Sequence, residues 1–167
     1  MIQYMADNWI ERKSRIEKVS RDGAPTVWLD VVGALEDCCK SFTANYPAPP
    51  ALLVAEAQRQ NGHRLRISVK RVTVISHGGG TATMPADIIE LTFDASTPRI
   101  TVSQSGNITH FPIGSDEEHA FLIYKEEPIS IDDFSRIVLE NVLFPQLPTA
   151  PRKQWTPQGK PSYTAWS

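Results

Sequence analysis

Five cations crowd one short stretch of this chain. Arg59, Arg64, Arg66, Lys70 and Arg71 flank the dipeptide Asn61–Gly62. Asn–Gly between alternating apolar runs marks a tight hairpin. Alternation places Arg64, Arg66, Ser68 and Lys70 on one face and Leu65, Ile67 and Val69 on the other. Clustered guanidinium groups suit phosphate or carboxylate recognition. Charge on an exposed strand that discourages sheet-to-sheet pairing accounts for the same residues.

Other reactive side chains are scattered. His63, His77, His110 and His119 share no metal-ligand spacing. The run Gly78–Gly79–Gly80 lacks the lysine and the strand-to-helix setting of a phosphate-binding loop. A small hydrolase or metal enzyme could use His77 and Asp87 across that loop, but no motif supports it. The sequence therefore implies no cofactor, no metal and no assigned catalytic residue. Cys38 and Cys39 are adjacent in sequence and sit on a helical pattern, about 100° apart, so they cannot bridge each other comfortably. They read as small core residues of a protein in a reducing, cytoplasmic compartment.

After Phe144 the chain becomes proline-rich, with Pro145, Pro148, Pro151, Pro157 and Pro161. Trp155, Tyr163 and Trp166 are interleaved with them. Such a composition cannot build its own core. Its aromatic side chains offer large contact area at low entropy cost. The expected division is one domain over residues 1–145 and a tail over 146–167.

The 167 residues carry 17 Lys or Arg and 19 Asp or Glu, a net charge of −2, which gives no argument for nucleic acid. Residues 1–71 hold 11 cations and 8 anions (+3); residues 72–167 hold 6 and 11 (−5). No apolar run reaches the ~20 residues of a membrane span.

Two N-terminal helices are expected. The first runs from Asp7 to about Arg21, with a narrow apolar stripe of Trp9, Ile16 and Val19 and a basic opposite face. Gly23 reads as its stop and Pro25 as the first turn of the second. That second helix has the broadest stripe: Trp28, Val31, Val32, Leu35, Cys38, Cys39 and Phe42. The stretch 46–50 then stops it as a stiff connector.

Residues 51–60 suit a helix or a strand, and the hairpin dipeptide decides for a strand. Val72 and Val74 shift parity from Val69, implying a bulge near Lys70–Arg71. Residues 76–87 read as a loop. Strands follow at 88–94, 99–104, 108–113 and 119–125, the last apolar on both faces. Ser130 and Asp133 form a capping box, and Ile129 with Phe134 a hydrophobic staple. The helix stripe is Phe134, Ile137, Val138, Asn141 and Val142, ended by Pro145.

The fold expected is α+β: a meandering antiparallel sheet of about six or seven strands, two N-terminal helices and one C-terminal helix. Partial closure into a barrel is the alternative. Seven strands and a final helix is also the element order of pleckstrin-homology-like barrels, whose first hairpin often binds anionic headgroups. That analogy rests on order and charge alone, and the two preceding helices are extra. The leading functional expectation is a non-catalytic protein-interaction module, meeting a partner or a second copy through the tail. An anionic-ligand or membrane-surface domain using the basic hairpin is the second.

Overall fold

The two-residue alternation read from Ile88 onward becomes a strand with buried Ile89, Leu91 and Phe93 and exposed Ile88, Glu90 and Thr92. The computed structural model describes residues 2–45, 51–74, 81–83, 87–144, 154–155 and 161–162. Helix α1 (Ile2–Asn45) leads into strands β1 (Ala51–Asn61), β2 (Arg64–Val74), β3 (Thr81–Thr83) and β4 (Asp87–Asp94). Then come β5 (Arg99–Gln104), β6 (Asn107–Ser115), β7 (Ala120–Tyr124) and β8 (Glu127–Ile129). Helix α2 (Ile131–Leu143) and a ribbon of β9 (Gln154–Trp155) and β10 (Pro161–Ser162) complete it.

All described pairings are antiparallel. The strands order β1-β2-β4-β5-β6-β7-β8, with β3 also on β2. The path ends at β1 and β8, so the sheet is open rather than partly closed. β3 falls within the stretch read as a loop. β2 runs without a register break along β1 at Lys70–Arg71; the shift lies between Arg59 and Asn61. The parity change instead marks where β2 exchanges β4, paired up to Val69, for β3, paired from Val72.

The N-terminal region is one helix, not two. Pro25 lies inside it. A proline there removes one backbone donor and crowds the carbonyl of Arg21, at a cost of about 3 kcal/mol. Packing on both sides of the proline offsets this. Beyond it, Val27, Trp28, Val31 and Leu35 are buried, each worth roughly 1.5–3 kcal/mol. Before it, the Ser20 hydroxyl donates to the Ile113 carbonyl at 2.7 Å, and Ser115 donates to the Ile16 carbonyl. Gly23 serves close approach rather than helix termination. A Cβ there would sit 2.7 Å from Ala120 Cβ on β7.

One core lies between the helices and one face of the sheet. It includes Leu35, Leu65, Ile67, Leu91, Ile100 and Phe134. Phe134 of α2 meets Phe111 of β6 edge-on at 4.7 Å between centroids. Ser130 caps α2, its hydroxyl accepting from Asp133 N at 3.0 Å. Phe134, Val138 and Val142 of the expected stripe are buried; Ile137 and Asn141 are exposed, and Leu139 and Leu143 are buried instead. Pro145 lies outside the described residues. Among the described residues, no helix is long and apolar enough to cross a membrane.

Candidate functional site

The basic hairpin forms, but its cations separate into two groups. Arg59 grips Glu36 of α1 with two bonds, 2.7 Å from Nη2 to Oε1 and 3.2 Å from Nε to Oε2. The guanidinium holds the Glu36 carboxyl below the ordinary carboxylate range. Arg59 is thus a clamp between β1 and α1. Arg64, Arg66 and Lys70 stand exposed on the outer face, away from the helices. Among the described residues none of the three has an acidic partner within ion-pair distance. In register, Arg66 stands across from Glu90 of β4 and Arg64 across from Thr92, so the face mixes signs. Arg71 continues β2, and its side chain lies outside the described residues.

The two turn residues are Gly62 and His63, one position on from the Asn61–Gly62 pair, because Asn61 ends β1 and pairs with Arg64. Positive φ among the described residues occurs at Ser105, Gly106, Lys125 and Glu126, not at Asn61 or Gly62. Asn61 instead closes an Asx turn, its Oδ1 accepting from His63 N at 2.8 Å. Trp28 Nε1 donates to the Gly62 carbonyl at 2.8 Å. Its ring stacks on Phe93 at 5.7 Å, and His63 stacks on Phe93 at 5.9 Å. The hairpin tip is therefore pinned to α1 by an aromatic column. That column holds the cationic strand at a set position on the sheet.

The histidines do not converge. His63 belongs to that column; His110 Nδ1 lies 2.9 Å from Thr101 Oγ1 on the outer face. His119 N donates to Asp116 Oδ1 in the β6–β7 loop. His77 and Gly78–Gly80 lie outside the described residues, and Asp87 is exposed at the start of β4. Among the described residues, no group of three or more His, Cys, Asp or Glu is placed to hold a metal ion. Cys39 is buried and Cys38 half-buried, both as free thiols. Burial, with Cys38 and Glu36 adding, pushes the Cys39 thiol up to about 11.

In the tail, Trp155 lies in β9 and pairs with Pro161 of β10. The side chains of this ribbon, and Tyr163 and Trp166 altogether, lie outside the described residues.

A surface not anticipated as a site lies at the start of α1. Residues 8–15 are exposed all round the helix, with Trp9 59% and Ile10 51% accessible. Trp9, Ile16, Ser20, Gly23 and Val27 follow one another at spacings of seven, four, three and four, on one helix face. From Ile16 onward that face meets the sheet. At Trp9 it meets solvent. Arg12 reaches Glu117 of the β6–β7 loop at 2.7 Å, the ion pair nearest this stretch among the described residues. The narrow stripe was visible in the sequence; that its first member projects past the sheet was not.

No family model, no curated protein and no solved structure matches the chain.

Proposed function

We propose that the chain is a non-catalytic protein-interaction module that presents the first turns of α1 to a partner. The exposed Trp9–Ile10 pair carries this reading. It lies on a helix whose core-facing stripe continues beyond the sheet. Burying a side chain such as Trp9 contributes about 2 kcal/mol. Arg12 and Lys13 flank the stripe, with Arg12 paired to Glu117, while Arg15 and Lys18 lie toward the opposite face. The partner this suits has an apolar groove with an acidic side chain placed for Lys13, and takes an amphipathic helix lengthwise. The tail, with Trp155, Tyr163 and Trp166, is the second contact element, toward a partner or a second copy.

The test is parallel capture from native lysate by three chains: intact, Trp9→Glu with Ile10→Glu, and one ending at Pro145. A specific protein held by the intact chain and lost from the helix variant, with unfolding unchanged, supports the reading. Equal capture by intact and helix-variant chains refutes it. Loss in the shortened chain alone moves the interface to residues 146–167.

Arg64, Arg66 and Lys70 support a second reading, an anionic ligand or headgroup on the outer face, because these side chains are exposed without an ion-pair partner among the described residues. It predicts salt-sensitive binding to phosphatidylserine vesicles that is lost in Arg64→Glu with Arg66→Glu. No co-sedimentation at low salt rejects the membrane version.

A further inference from the structure

The helix cover of the sheet runs out at the β5–β6 turn and leaves a cleft there. Its volume is about 420 Å³, within the range of small-molecule sites. Val102 and Phe111 form its sheet side, and Ile137, Val138 and Asn141 of α2 its other wall. Gln104, Asn107 and Thr109 continue the inward-facing parity of β5 and β6, and Tyr124 also lines it.

Three features narrow what this cleft takes. First, none of its lining side chains is charged. A charged ligand would lose hydration there without a counter-ion among the lining side chains, the nearby Lys125 ammonium being held over the Tyr124 ring. Second, three carboxamides border it: Gln104, Asn107 and Asn141. Each offers two donors and one acceptor, the complement of another amide. Among the described residues, none of these carboxamides is hydrogen-bonded to protein, so bonding to a ligand breaks no internal bond. Third, the Tyr124 ring stacks on Phe111 at 5.3 Å, with Lys125 Nζ 5.2 Å from its centroid. Those contacts occupy the ring and leave no aromatic platform for a sugar.

The site is also built to hold its shape. Gln104 and Asn107 are register partners closing the hairpin. The two turn residues between them, Ser105 at φ 50° and Gly106 at φ 80°, adopt the left-handed pair that matches strand twist. Phe111 is fully buried against Phe134, which fixes the floor to α2.

We propose that this cleft binds a small uncharged ligand with an apolar body and an amide or lactam edge. The apolar body lies between Val102 and Ile137, and the carboxamides bond the edge. The reading is independent of the protein interface at Trp9, which lies on α1.

The experiment is a nitrogen-15 NMR titration of the full chain with N-acetylphenylalaninamide. Side-chain amide resonances of Gln104, Asn107 and Asn141 should shift together, with a dissociation constant of about 1 mM or tighter. Asn141→Leu, an exposed change on a helix, should weaken binding roughly fivefold or more. The carboxylate N-acetylphenylalanine should bind more weakly. No shift at these three residues, equal binding of the carboxylate, or shifts produced by glucose alone would each overturn the proposal.

Discussion

Replacing Pro25 with alanine separates the observed long helix from a pair of helices. In a pair, Pro25 would be the first helical residue, where its missing donor is harmless and its fixed φ helps. Alanine would then loosen the unfolded chain and lower stability by about 0.4–1 kcal/mol. In the continuous α1, alanine restores the bond from residue 25 to the Arg21 carbonyl and removes the ring from that carbonyl. Position 25 is exposed, so no core contact is lost. The full interior penalty is about 3 kcal/mol, which bounds the gain from above. A gain of roughly 1–3 kcal/mol is expected. Urea unfolding reads it directly: with a slope of about 2 kcal/mol/M, the midpoint rises by about 0.5–1.5 M. A lower midpoint at unchanged slope would refute the continuous helix. The companion cycle uses Gly23. Alanine there should destabilise despite its better helix propensity, because its Cβ would meet Ala120 at 2.7 Å. Ala120→Gly in the same chain should recover that loss. A helix-stop glycine would show no such coupling.

Thr43 occupies the free edge of β1, its hydroxyl bonding both Ala55 N and Ala55 O at 3.0 Å. Thr43→Val should cost about 1–2 kcal/mol and unmask the edge; unchanged stability and unchanged sedimenting mass would show that the hydroxyl blocks nothing. Cys39 should resist alkylation at neutral pH until the chain unfolds, and its folded pKa of about 11 lies above the ordinary 9.0. Its contribution to stability is therefore complete below about 9 and lost as pH rises toward 11; rapid labelling of the folded chain at pH 7 would contradict this. The lowered Glu36 pKa works in the opposite sense, stabilising above the ordinary 4.5 and fading as pH falls through the lower folded value. Glu36→Gln should flatten that acid limb of the urea midpoint, and an unaltered limb would count against the Arg59 clamp.

The sheet was legible because each strand's apolar period is set by local covalent geometry. Ile89, Leu91 and Phe93, then Ile100 and Val102, then Phe111 and Ile113 alternate in sequence and are buried in the fold. The cap at Ser130 was legible for the same reason, since its partner lies three residues on. The helix break was misread because Gly23 and Pro25 carry a local meaning that tertiary contacts override. The reason for Gly23 is Ala120, nearly a hundred residues away, and no local pattern contains it. The hairpin at Asn61–Gly62 was legible, but its two turn residues are Gly62 and His63, one position further on, and the Trp28 bond and the aromatic column hold that tip.

The candidate sites fell between these cases. The basic hairpin reads as one cationic group because sequence shows spacing, while the fold shows which charges are spent. Arg59 is committed to Glu36, and only then do Arg64, Arg66 and Lys70 stand out as available. The cleft at the β5–β6 turn draws on β5, β6, β7 and α2, so no single stretch announces it. One sequence feature does point there. The inward parity of β5 passes from Ile100 and Val102 to Gln104, and that of β6 passes from Asn107 and Thr109 to Phe111. Polar residues at core-facing positions mark where the helix layer stops covering the sheet. The same logic applies to α1, where an apolar residue lies at the projecting end of a core stripe. Trp9 lies where the sheet stops, and Gln104 and Asn107 lie where α2 stops. Both follow from one mismatch: the covered area of the sheet and the residues that pattern sequence marks as core-facing do not end at the same place.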